Sequence, residues 1–336
     1  MTQPDHRSQQ QRQLINPARH AMRWASSPAG GMAILTAGLL TWLAPCQLTA
    51  SDATQKTNED VNQTRDIHGD NLYQPSVGQD GKNVIWVPTP DALMQVMLEV
   101  VNIQSNDVLY DLGSGDGKIV ITAAQRYAIE AVGIEYNPDL VSLARRNALR
   151  AGVEGKVTFI QGDIFKEDFS KASVLALYLL PELNIRLKPT ILAMRPGTRV
   201  VSNTFNMGSW PADITIELDD SSRAYYWVVP AKVEGRWRLD DPASKPVGQL
   251  EIRQDFQILS GGLLLNGERL AILSGRMQGE SITFTYGSQT PAGSTARGTF
   301  EGMVQAGDLT GSLREQGKQP QQLSGRQVKK GRQTLP

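Results

Sequence analysis

The sequence predicts an α/β domain built on a doubly wound, mostly parallel sheet, followed by a small antiparallel all-β domain. Three observations predict it. Between residues 107 and 205, short apolar runs alternate with longer amphipathic segments, and the runs are continuous rather than alternating. That is the pattern of strands covered by helices on both faces. From about Lys232 the texture changes to short strand-like pieces interrupted by glycine every few residues, with no helical periodicity. A length of 336 residues leaves room for both domains.

Composition narrows the chemistry. The 34 basic and 34 acidic residues give a net charge of zero, so nothing electrostatic points to nucleic acid, and no such partner is expected. The excess of 15 basic over 10 acidic residues in 223–336 is read as a solvated face. The single cysteine is Cys46 and the three histidines are His6, His20 and His68, so everything after residue 68 lacks both types. This excludes a Cys/His metal site, a thiol nucleophile and a Ser-His-Asp triad in the body of the chain. No metal site is expected.

The elements follow in order. Trp24–Ala50 carries no charge and is preceded by Arg12, Arg19 and Arg23, with a 14-residue apolar core from Met32 to Pro45. It is read as a signal peptide within 1–50, and the alternative is an uncleaved anchor, a membrane tether through residues 24–50. Export follows from either, with a cytoplasmic location as the alternative. Residues 51–80 are acidic and poor in apolar side chains, hence a disordered linker. Folding is expected to begin near Val84, and Thr89-Pro-Asp91 before an apolar run reads as the N-cap and first turn of a helix. Strands are expected in 107–113, 131–136, 156–163, 173–180 and 198–205, and helices in 119–128, 138–152 and 181–194. ITIEL (214–218) and AYYWVVP (224–230) are read as an antiparallel pair closing the sheet. The first domain thus covers 81–230 and the all-β domain 231–328, a barrel or sandwich with a hairpin at Asn266-Gly267. A basic tail, 329–336, ends the chain.

The chemistry sits in YDLGSGDGK, 110–118. A strand ends near Asp111, and Gly113, Gly115 and Gly117 precede a helix. A phosphate-binding P-loop would need Gly at 112 and Ser or Thr at 119, where Leu112 and Ile119 stand. A dinucleotide loop would want Gly or Ala at 118, where Lys118 stands. Glu135 ends the second strand, 24 residues after Asp111, and Asp163 follows the third. Three carboxylates at the carboxyl ends of successive strands converge on one crevice.

The D-L-G-S-G-D-G string resembles that of class I S-adenosyl-L-methionine (SAM) methyltransferases, which have a Rossmann-like fold. The resemblance implies that SAM is the cofactor, with Gly113, Gly115 and Gly117 admitting its methionine part and Asp111 attracting its ammonium. It further implies that Glu135 accepts from the ribose hydroxyls and Asp163 from the adenine amino group. With Val87-Pro-Thr-Pro90, LYLLPELN (177–184) and PGTRVVSNTFNMGSW (196–210), residues 84–230 are similar to the small seven-strand protein-lysine methyltransferases of mitochondrial inner-membrane proteins. That family implies sheet order 3-2-1-4-5-7-6 and an acceptor entering over the fourth strand.

Tyr178-Leu-Leu-Pro181 ends that strand, where enzymes acting on flat amide or base nitrogens carry Asn/Asp-Pro-Pro-Tyr/Phe. An apolar wall with one phenol suits a flexible amine, so Tyr178 is the candidate for acceptor positioning. Trp86 and Trp210 read as lid or core. The expected acceptor is a protein lysine, with a small amine as alternative. A second reading, favoured by the apparent export signal, is a non-catalytic exported binding module on this fold.

Overall fold

The computed structural model describes residues 69–80, 85–291 and 293–328. The segment expected to be a signal peptide or anchor, most of the expected linker and the basic tail lie outside the described residues. Among the described residues no helix is long and apolar enough to cross a membrane.

The first sheet has seven strands: β1 (Val108–Leu112), β2 (Glu130–Glu135), β3 (Val157–Gln161), β4 (Val174–Leu177), β5 (Arg199–Asn203), β6 (Ile214–Glu217) and β7 (Arg223–Val228). Their order is β3-β2-β1-β4-β5-β7-β6. The first five pair in parallel, and β7 runs antiparallel between β5 and β6. Of the described helices, α1 (Asp91–Val100) precedes β1, while α2 (Lys118–Tyr127), α3 (Pro138–Arg150) and α4 (Pro181–Leu192) fill the crossovers from β1 to β2, β2 to β3 and β4 to β5. Alternate residues of each central strand feed different cores. Leu109, Val174 and Val201 pack with Met97, Val120 and Val141 of the first three helices. Leu112, Leu175, Leu177 and Val200 pack with Leu187 and Ile191 of α4. Both faces are therefore apolar, which is why the sequence shows runs rather than alternation.

The second sheet is a closed antiparallel barrel: β8 (Gly235–Asp240), β9 (Pro246–Asp255), β10 (Ile258–Leu265), β11 (Glu268–Gln278), β12 (Ser281–Thr290), β13 (Gly293–Gln305), β14 (Asp308–Glu315) and β15 (Gln321–Gln327). Each strand pairs with the next, and β15 pairs with β8 to close the ring. Asn266 and Gly267 both have positive φ, 49° and 85°, as a two-residue hairpin turn requires. Trp237, Phe284, Tyr286 and Phe300 fill the interior, Phe284 stacking on Phe300 at 4.9 Å between ring centres.

Two local expectations are corrected. Residues 78–80, placed in the linker, pair with the chain ahead of α1: Gly78 N donates to Trp86 O, Trp86 N donates to Gln79 O, and Asp80 bridges Ile85. Thr89 does not cap α1, whose N-terminus is Pro90 with no side-chain cap. The Thr89 hydroxyl instead accepts from Asn203 Nδ2 at 3.4 Å, at the end of β5. A tertiary partner has displaced the local one, because both groups are buried and each needs the other.

Candidate functional site

The order of the first sheet reverses between β1 and β4, and ligands of such sheets bind outside the carboxyl ends of strands at that crevice. The glycine loop lies there. Gly113 N and Ser114 N donate to Ile134 O at 2.8 and 3.1 Å, which wraps the loop around the end of β2. Gly113, Gly115 and Gly117 have φ of 84°, 54° and 84°, a region that disfavours side chains. The three glycines nonetheless serve different ends. A Cβ on Gly115 would lie 2.7 Å from Trp86 Nε1, so the indole closes directly over the backbone.

Gly117 heads α2, and a Cβ there would sit 2.6 Å from Phe159 Cζ and 3.0 Å from Ala144 Cβ. It does not line the cavity, and its role is helix-to-sheet packing. Gly117→Ala should therefore destabilise the protein by about 1–3 kcal/mol through overpacking and strain. Chemical denaturation checks this, and wild-type stability in the variant would contradict it.

Glu135 braces the loop from the end of β2. Its carboxylate accepts from Gly115 N at 3.0 Å and from Asn137 N at 2.8 Å, joining the glycine loop to the start of α3. Lys118 fastens the segment above: its ammonium donates to Thr89 O at 2.9 Å and pairs with Asp91 at 2.8 Å. Asp116 is buried, accepting from Lys118 N through its side chain and from Asn147 Nδ2 through its carbonyl.

Asp111 is the unusual member. It is 4% exposed, and no hydrogen bond from the described residues reaches its carboxylate. Burial first, then the charges of Glu135 and Asp116, push its pKa up to about 8. A buried acid facing two others and no cation is a costly arrangement unless a cation is supplied from outside.

These groups share a cavity of about 220 Å³. Asp111, Gly113, Gly115 and Glu135 line it on the β1–β2 side, and Tyr178, Leu179, Leu180 and Phe205 on the β4–β5 side. Trp86, Val87 and Pro88 form a further wall. Five of the seven residues expected from the sequence thus come together. Gly117 stays outside the lining, and so does Asp163, whose carboxylate accepts from Phe165 N at 3.0 Å in its own turn. Trp210 is core, 1% exposed.

Sequence reasoning missed Lys118, Pro88 and Phe205. All three lie in strings that carried the resemblance, yet nothing local shows that they meet around one cavity.

The family model for the ANTKMT methyltransferase domain matches residues 111–214. A protein-lysine N-methyltransferase of Saccharolobus islandicus is 38% identical over 142 residues, covering 42% of this chain and 88% of that protein. The chain belongs to this methyltransferase family. The mouse adenine nucleotide translocase lysine N-methyltransferase is 38% identical over 119 residues, covering 35% of this chain and 52% of that protein. The chain thus spans about half the length of the mouse relative. Among solved structures, an RNA methyltransferase from Salinibacter ruber with S-adenosyl-L-homocysteine is 49% identical, covers 44% of this chain and 96% of that one, and has a TM-score of 0.43. The methyltransferase is a SAM-dependent enzyme with a seven-stranded sheet followed by a barrel.

The residues fit that cofactor. SAM carries a sulfonium and an ammonium, and the cavity of this methyltransferase offers an unpartnered buried acid whose ionised form lacks only a cation.

Proposed function

We propose that this methyltransferase transfers the SAM methyl group to the side-chain amine of a protein lysine. The observation that carries the reading is the β4–β5 wall of the cavity. Tyr178, Leu179, Leu180 and Phe205 present one phenol on an apolar surface, with none of the fixed amide or carboxylate acceptors that hold a flat nitrogen. The names of the Saccharolobus and mouse relatives support it.

Asp111 would attract the ammonium of the methionine part, beside the backbone of Gly113 and Gly115 that lines the same cavity. Glu135, already held by two backbone N–H groups, keeps lone pairs for the ribose hydroxyls. Asp163, beyond the end of β3, is the adenine-side acid of the proposal. When bound, SAM supplies an electrophilic methyl on a leaving thioether. The chain supplies alignment and exclusion of water, which contribute roughly 7–11 kcal/mol in well-oriented reactions.

A lysine must first lose its proton, which costs about 4–5 kcal/mol from pKa 10.4 to pH 7. The apolar wall lowers that cost by desolvating the ammonium. No imidazole is present after residue 68 to take the proton, which leaves to water. With SAM held by Asp111 and Glu135, its methyl would pass to the neutral nitrogen, the new N–CH₃ bond replacing the S–CH₃ bond, whose electron pair would stay on sulfur. On the β4–β5 wall, the Tyr178 hydroxyl is the polar group that would orient the amine.

Two results test this. Saturated turnover on a lysine acceptor should rise with pH towards the amine's own pKa without an inflection near 6.5, the unperturbed histidine value. Tyr178→Phe should lower turnover about tenfold, the cost of one lost hydrogen bond, with SAM affinity nearly intact. Wild-type turnover in that variant would return Tyr178 to a packing role.

A further inference from the structure

We infer that Gln257, on the turn between β9 and β10 of the barrel, is a positioning residue for the methyl acceptor. The inference rests on the reading that the Tyr178–Phe205 side of the cavity admits the amine. Although it occupies a turn, Gln257 is 1% exposed. Its Oε1 accepts from Trp210 Nε1 at 2.9 Å, and its Nε2 donates to Pro211 O at 2.7 Å. Its own carbonyl accepts from Met277 N at 2.8 Å, which fixes the turn to β11. The neighbouring Phe256 ring stacks on Trp210, with centroids 6.2 Å apart and planes 17° from parallel. The barrel therefore grips the segment after β5 through a carboxamide used at both ends.

That segment begins at Phe205, which lines the cavity. From the other side α4 holds it: Asn184, fully buried, donates to Phe205 O at 3.1 Å, and Lys188 Nζ donates to Ser209 Oγ at 2.9 Å. Phe205 thus stands at one end of a short stretch clamped between α4 and the barrel. If Gln257 only filled space, an apolar residue of its size would serve. Such a residue would leave the Trp210 indole N–H and the Pro211 carbonyl without their partner, and a buried unpaired group is costly. The glycine loop is held separately, by Ile134 O and Glu135, so the effect should reach the acceptor side and spare the cofactor side.

The test uses the full chain with Gln257→Leu, Trp210→Phe and the double variant. Trp210→Phe keeps an aromatic ring in the core should Gln257→Leu fold poorly. SAM affinity should stay within about twofold, while KM for poly-L-lysine rises about tenfold with a smaller change in kcat, the size expected for loss of the Trp210–Gln257 hydrogen bond that both single variants share. Amide exchange over 205–210 should quicken about tenfold with exchange over 113–117 unchanged. The double variant should be no worse than the poorer single, because both substitutions remove the same bond. Exchange at 205–210 that stays at the wild-type rate, or that quickens equally at 113–117 with loss of SAM affinity, would overturn the proposal. Failure of the wild type to methylate poly-L-lysine would sink the lysine reading instead, and the exchange data would still decide whether the barrel positions Phe205.

Discussion

Replacing Glu135 by alanine should weaken SAM binding about a hundredfold while leaving turnover at saturating SAM within a few-fold of wild type. Two effects add. The variant loses the acceptor proposed for the ribose, where hydrogen bonds to a charged group contribute roughly 1.5–3 kcal/mol each before water replaces them. It also frees Gly115 N and Asn137 N, the two donors that Glu135 ties together, so the glycine loop no longer arrives in place. Both losses fall on the cofactor and neither on the reacting methyl, so affinity rather than the saturated rate should suffer. Isothermal titration of the variant decides it, and unchanged affinity would remove Glu135 from the site.

Asp111 should make SAM binding depend on proton release. With its pKa pushed up to about 8 by burial and by the charges of Glu135 and Asp116, the carboxyl of the free protein is largely protonated near neutrality. Pairing with the cofactor's ammonium favours the ionised form, so binding expels the proton below pH 8. Affinity should then climb with pH by up to about tenfold per unit until Asp111 ionises unaided. Above that the cofactor's own amine, with an unperturbed value of about 8, begins to lose its charge. Titrations in two buffers of different ionisation enthalpy would show the released proton, and Asp111→Asn should lack both the release and the rising limb.

Stability carries the opposite sign. A carboxyl whose folded pKa lies above its unfolded value of 3.8 binds its proton more tightly in the folded state, so this group's contribution falls as pH rises from about 4 to 8. Cofactor-free Asp111→Asn should therefore melt above wild type at pH 8, with the gap closing towards pH 4. Equal melting temperatures at pH 8 would mean that Asp111 is not held against its ionisation.

The parts of the site that were legible in the sequence are those fixed by local backbone demands. Gly113 and Gly115 stand where the chain needs positive φ beside a ligand, and Asp111 and Glu135 stand at the ends of apolar runs, so spacing alone puts them in one crevice. The parallel sheet was legible because runs such as VLYDL and VLAL feed cores on both faces. What was not legible depends on partners far along the chain. Thr89 has the signature of a helix cap, yet its hydroxyl serves Asn203, 114 residues away. Gln257 has no local signature, because its meaning comes from Trp210, 47 residues earlier on the segment between β5 and β6. Gly117 belongs to the loop by sequence and to packing by structure, since Phe159 and Ala144 approach it from β3 and α3. The closure of the barrel likewise needs β15 to meet β8, a register that no single hairpin specifies.

The most direct measurement gives the full chain methyl-labelled SAM together with three acceptors: poly-L-lysine, the same polymer with its side-chain amines acetylated, and an RNA homopolymer. The account predicts label on the side-chain nitrogen of the unmodified polymer alone, lost in Asp111→Asn at limiting SAM. Label on the acetylated polymer or the RNA, or tight SAM binding with no amine labelled at any pH, would contradict it.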